Sequence, residues 1–155
     1  MPPRRAESRV LPGHGPWRVV PATNVLVSAV LQPLGSSAAL LRSWQRGEIE
    51  LVLCPKLLAE LTEVLTRPML QSRISADHAD AFVALLRSQA ELRADPPVDP
   101  GLTPDPKDDY IISLAPATRA SCVVSGDQDL AGVLAPPVMT PSALMDELQR
   151  RGQGE

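Results

Sequence analysis

Short unbroken apolar runs alternate along this chain with stretches whose apolar residues recur every three or four positions. The first pattern predicts buried strands and the second predicts helices with one apolar face. Trp17 to Val20 reads as a first strand, followed by the polar turn Ala22-Thr23-Asn24 and a helix from about Val25 to Leu31. Ser36 or Ser37 then caps a helix carrying Ala39, Leu40, Leu41 and Trp44, with Gly47 at its C′ position. Ile49 to Leu53 is a second strand, and Pro55 opens a helix whose stripe is Leu57, Leu58, Leu61, Val64 and Leu65. Arg67-Pro68 breaks that helix, and Ser75 caps the next, which carries Ala79, Phe82, Val83, Leu85 and Leu86.

Residues 95–106 are crowded with Pro, Asp and Gly and predict a loop. A helix is expected from Asp105-Pro106 through Tyr110, Ile111, Ile112 and Leu114, meeting Pro116. A proline there cannot donate to the Ile112 carbonyl and should kink or end the helix. Ser121 to Val124 is a buried strand, Asp127 opens a short helix, Val138-Met139 is a last strand, and Pro141 to Arg151 is a terminal helix. The alternation implies an α/β chain with a parallel sheet covered on both faces, in which function gathers at the carboxyl ends of the strands.

At 155 residues the chain suggests one domain, expected over 17–151, with a disordered extension at 1–16 and a short tail at 152–155. The first sixteen residues are rich in proline and arginine and lack the apolar core of a secretory signal. No apolar stretch approaches the ~20 residues that span a bilayer, so no membrane partner is expected. Only 3% of residues are aromatic, so the core must be built from aliphatic side chains. The formal net charge of -3 supplies no general attraction to nucleic acid, so any such contact needs a local patch or a bound cation. Cys54 and Cys122 lie in apolar runs without metal-ligand spacing, which suggests reduced thiols in a cytoplasmic protein. His14 and His78 have no Cys or His neighbour at zinc-ligand spacing.

The candidate chemistry lies in the acids. At ~100° per residue, Glu60 falls about 40° from Val64, so it is the carboxylate of its helix that leans inward. On periodicity alone the simpler reading is a border glutamate that snorkels to water or pairs with Lys56 at i−4. Asp105 before Pro106 is a natural N-cap, and Asp108 sits where a helix dipole favours it. Asp109 is harder to explain structurally, since it directly precedes the Tyr110-Ile111-Ile112 run. Asp127, after the Cys122–Val124 strand, is balanced between a cap and a ligand, and Asp129 reads as a solvated helix residue. Carboxylates gathered at strand ends repel one another unless a cation joins them, and Mg²⁺ accepts such oxygen ligands together with water and phosphate. No nucleophilic triad and no phosphate-binding P-loop competes for the role.

Four segments in order resemble the PIN domain, and in particular the toxin subunits of bacterial type II (VapBC-like) toxin–antitoxin pairs. They are Ala22-Thr23-Asn24-Val25-Leu26-Val27-Ser28, Pro55 to Leu61 with Glu60, Asp105 to Ile111 with Asp109, and Val123-Val124-Ser125-Gly126-Asp127. The resemblance covers about residues 17–150. It implies a three-layer α/β/α sandwich around a parallel sheet and an endoribonuclease dependent on Mg²⁺ or Mn²⁺. It further implies an RNA substrate, a cognate antitoxin and commonly a homodimer. Glu60, Asp109 and Asp127 would hold the metal, and Thr23, Asn24 and Ser125 would orient ligands and waters behind them. Asp105, Asp108 and Asp129 are the weaker acidic candidates.

The family's opening motif carries Asp where this chain has Ala22. That departure implies a chain inactive or weakened as a nuclease. An alternative is a module of the same fold that binds RNA or an antitoxin without cleaving. A phospho-receiver ranks low, because neither Val20-Pro21-Ala22 nor Val123-Val124-Ser125 supplies its acidic pair or its lysine. Arg42, Arg46, Lys56, Arg67 and Arg73 are candidate RNA contacts, each better explained individually as solvated helix surface, and Trp44 is expected in the core.

Overall fold

The computed structural model describes residues 16–97, 109–126 and 137–153. The expected extension, apart from Pro16, and the helix start at Asp105-Pro106 lie outside those residues. So do Asp105, Asp108, Asp127 and Asp129. The described elements are β1 (Trp17–Pro21), α1 (Thr23–Leu31), α2 (Ser36–Gln45), β2 (Ile49–Leu53), α3 (Pro55–Leu65), α4 (Pro68–Gln71) and α5 (Ala76–Gln89). They continue with β3 (Glu91–Leu92), α6 (Asp109–Thr118), β4 (Cys122–Val124), β5 (Val138–Met139) and α7 (Pro141–Gln153).

The five strands form one sheet in the order β3-β2-β1-β4-β5. Every pairing is parallel, with Trp17 opposite Ile49, Val19 opposite Cys122, Val52 opposite Glu91, and Val123 opposite Val138. Helices cover both faces, giving the three-layer α/β/α sandwich. Val19, Val20, Leu51, Val52, Leu53, Cys122, Val123 and Val124 are wholly excluded from solvent, as a doubly covered parallel sheet requires. Trp44 is buried in the same core. Chain order reverses between β1 and β4, so the carboxyl ends of these two strands frame the crevice where ligands of open α/β sheets bind. Among the described residues no single helix is long and apolar enough to cross a membrane.

Local signals explain most boundaries. Ser75 caps α5 by accepting from the His78 backbone N–H at 3.0 Å. Gly47 adopts φ 79 after α2, where its N–H meets the Trp44 carbonyl at 2.9 Å and Glu48 N–H meets Ser43 at 3.0 Å. These are the paired bonds of a Schellman end. Several expectations need correction. The N-cap of α2 is Gly35, not Ser36 or Ser37; Ser36 is already helical, and glycine is an acceptable cap. Arg67-Pro68 does end α3, but Pro68 then begins the short α4. Pro116 does not end α6, which continues to Thr118. The proline removes only the bond to the Ile112 carbonyl, and the helix closes further on, with Ala120 N–H bonding the Ala115 carbonyl (2.8 Å) and Arg119 N–H the Pro116 carbonyl (3.3 Å). This second Schellman end places Arg119, not glycine, at φ 59. The terminal helix reaches Gln153, two residues past the expected limit.

Candidate active site

Ala22 is the hinge of the crevice. It directly follows β1, and its N–H bonds the Val124 carbonyl of β4 at 2.8 Å. Its own carbonyl receives the Val25 and Leu26 amides at 3.1 and 3.4 Å, so Ala22 is the N-cap of α1. With φ −70 and ψ 157 it has cap geometry, but alanine has no side-chain oxygen to offer the first turn. The next residue, Thr23, therefore points from the start of a helix into the crevice.

A cleft of about 580 Å³ opens there, lined by Ala22, Thr23, Asn24, Glu60, Ile111 and Ser125 near the strand ends, and by Val27, Ser28, Leu31, Gln32, Glu63, Val64 and Arg67 further out. Its outer wall is the seam between α1 and α3. Glu60 is half-buried on α3, on the border of the Leu57, Leu58, Leu61 and Leu65 stripe. Oε1 of Glu60 accepts hydrogen bonds from the Thr23 hydroxyl and, at 2.7 Å, from the Tyr110 hydroxyl. This carboxylate is neither snorkelling nor paired with Lys56. The Lys56 ammonium instead lies 4.7 Å from the centroid of the Tyr110 ring. Across the α3 N-terminus, the Lys56 backbone N–H is capped by Asp95 Oδ1 at 2.9 Å, which fixes the helix that carries Glu60.

Asp109 is the first residue of α6, only 2% exposed, beside Tyr110. Its backbone carbonyl accepts from the Ser113 hydroxyl at 2.9 Å. Ser125, 3% exposed, follows β4 and bonds the Met139 carbonyl through its N–H at 2.9 Å. Thr23, Asn24, Glu60 and Ser125 thus meet in one cleft with the Ala22 methyl among them. Asp109 is tied to that wall through its neighbour Tyr110, and Asp127 lies outside the described residues.

Tyr110 is the residue that sequence reasoning missed. In the sequence it reads as one apolar member of an apolar run, yet its hydroxyl is committed to Glu60. The phenol is 1% exposed, and burial, reinforced by the adjoining Glu60 carboxylate, pushes its pKa far above the ordinary tyrosine value. It is a hydrogen-bond donor at any physiological pH. A polar partner for a buried tyrosine hydroxyl was the available signal.

The donor set is thin for a divalent ion. Among the described residues no three His, Cys, Asp or Glu side chains gather closely enough to hold one. Of the acids the resemblance assigns to the metal, Glu60 and Asp109 are described, and Ala22 brings a methyl where the resemblance expects a carboxylate. The described wall therefore does not make a complete Mg²⁺ or Mn²⁺ site. Within the cleft lining, Glu60 and Glu63 outnumber the one basic residue, Arg67, whose Nη2 lies 2.8 Å from Glu63 Oε2. Of the five basic residues considered for RNA, Arg67 alone lines this cleft. Arg42 donates to the Pro33 carbonyl at 3.0 Å, Arg46 pairs with Glu48 at 2.9 Å, and Arg73 is exposed. The thiols take no part: burial pushes Cys54 up to about 11 and Cys122 up to about 12.

The profile of the PIN domain matches residues 18–129, most of the chain. The chain belongs to the PIN-domain family. Its fold is similar to that of PAE2754 from Pyrobaculum aerophilum, with a TM-score of 0.60 and 16% identity over 87% of this chain and 90% of that one. It is also similar to VapBC2 from Rickettsia felis, solved bound to a DNA fragment from its promoter, with a TM-score of 0.56 and 15% identity over 79% of this chain and 96% of that one. No curated protein sequence matches the chain. The PIN-domain match spans Ala22, Glu60, Tyr110 and Ser125, and so takes in the whole described cleft.

Proposed function

We propose that this chain is the toxin-type subunit of a toxin–antitoxin pair, built as a PIN-domain endoribonuclease but with RNA cleavage lost or strongly weakened. The observation that carries the reading is Ala22. It stands at the reversal of strand order, 4% exposed, in the wall that also presents Thr23, Glu60 and Ser125. A carboxylate there would project into the cleft beside Glu60, the position that a nuclease of this family resemblance needs filled. The likeness to VapBC2 supports the toxin–antitoxin assignment and with it a cognate antitoxin; a homodimer and a cytoplasmic setting are part of the same proposal. Residues 17–151 would form the working domain, with 1–16 and 152–155 as extension and tail.

The ion implied by the resemblance, Mg²⁺ or Mn²⁺, would have to draw on Asp127 beside Glu60 and Asp109. Because the described residues leave that set short, the chain's own contribution is what can be derived. The α1 start aims Thr23 and Asn24 into the cleft, α3 supplies Glu60, and α6 and Thr23 hold it by hydroxyl contacts. A second reading, a module that binds RNA or an antitoxin without cleavage, is favoured by the same methyl at position 22.

Metal-dependent cleavage of RNA by this chain and by Ala22→Asp separates the readings. Activity that appears or rises sharply in Ala22→Asp supports a disarmed nuclease. Inertness of both supports the binding module, and equal robust cleavage by both refutes the role given to position 22.

A further inference from the structure

We propose that Tyr110 is a positioning residue for Glu60, a role that rests on the nuclease reading above. Glu60 has two carboxylate oxygens and lines the cleft. Oε1 takes both the Thr23 and the Tyr110 hydroxyls, and among the described residues no donor reaches Oε2. The two hydroxyls come from different elements, the first residue of α1 and the second of α6, so they hold one oxygen from two directions. A glutamate has three side-chain torsions, and pinning one oxygen to fixed donors removes most of that freedom while leaving the other oxygen for whatever occupies the cleft.

The phenol is well placed for this task. Its ring is buried in the core, with the Lys56 ammonium 4.7 Å from the ring centroid, so the hydroxyl is carried on a rigid support. A phenol hydroxyl offers one donor to a carboxylate, which can only accept, so the contact has a single direction. The Asp95 contact at the start of α3 steadies the helix on which Glu60 rides. A purely space-filling tyrosine would leave its hydroxyl indifferent to residue 60; here that hydroxyl is 2.7 Å from it.

Tyr110 is the only tyrosine of the chain, which gives a direct spectroscopic handle. The Raman ring doublet of a tyrosine changes its intensity ratio according to whether the phenol donates a hydrogen bond. The expected result is a strong-donor ratio in the unaltered chain that shifts markedly in Glu60→Ala; an unchanged ratio overturns the proposal. The functional arm uses the Ala22→Asp background with Mn²⁺ and a single-stranded RNA. There, adding Tyr110→Phe should lower kcat about tenfold with KM unchanged, while the fold is retained by circular dichroism. Undiminished kcat in a folded Tyr110→Phe chain overturns the positioning role and leaves the nuclease reading intact. An inert Ala22→Asp chain overturns the nuclease reading and the positioning role with it.

Discussion

Arg18 and Glu91 meet in a two-point contact, with Nη1 2.5 Å from Oε1 and Nη2 2.8 Å from Oε2. The same guanidinium reaches Glu50 Oε1 at 3.1 Å and the Thr118 carbonyl at 2.8 Å. One side chain of β1 therefore ties β2, β3 and the end of α6 together. Arg93 completes the group from the other side of Glu91 at 2.8 Å.

This contact makes stability depend on acid pH. The Arg18 hydrogen bonds, then Arg93, hold the Glu91 carboxyl down to about 2, against an ordinary value of 4.5. A carboxyl depressed in the folded state stabilises fully above its unfolded pKa, and the gain fades as pH falls from about 4.5 toward about 2. Glu91 is 32% exposed, so water screens the contact and the contribution is about 1 kcal/mol. Urea unfolding between pH 7 and pH 2 should show this loss in the unaltered chain. Glu91→Gln should be less stable at pH 7 and show a shallower decline; parallel curves would contradict the assignment.

Arg119 offers a second test. It occupies the left-handed C′ position after α6 at φ 59, where a side chain with Cβ is strained. Gly47 fills the equivalent position after α2 at φ 79. Arg119→Gly should raise stability by about 1 kcal/mol by removing that strain, partly offset by the greater freedom of glycine in the unfolded chain. Thermal melting of the two chains measures it, and a fall in Tm would count against a strained backbone at Arg119.

At position 22 two effects oppose each other. Aspartate at the N-cap of α1 should contribute about 1 kcal/mol that alanine forfeits. The new charge would also crowd Glu60 in the same cleft. Ala22→Asp should therefore change Tm little in buffer with chelator. In a Glu60→Gln background the crowding is gone, and the same substitution should stabilise by about 1 kcal/mol. The four-chain cycle, measured by chemical denaturation, checks both halves.

How much of this was legible in the sequence depends on whether a signal was local. The apolar stripe from Leu57 to Leu65, the Ser75 cap and the Gly47 end are properties of a few adjacent residues, and all three were readable. The inward lean of Glu60 was readable from helical periodicity, but its partners were not, because Thr23 and Tyr110 lie 37 and 50 positions away. β3 is two residues long and carries the ion-paired Glu91, so no apolar run marked it. The end of α6 two residues past Pro116 is set by Arg119 and Ala120, which close it from beyond the helix, and propensity alone does not count such donors.

The bond from the Ala22 amide to Val124 has a consequence for the history of such a chain. Because the main chain ties this corner to its neighbouring strand, the architecture does not rely on which side chain sits there. Two of the four alanine codons become aspartate codons by a single-nucleotide change. A lineage can thus exchange the side chain at this corner while the scaffold, and the outer surface it presents, is inherited unchanged.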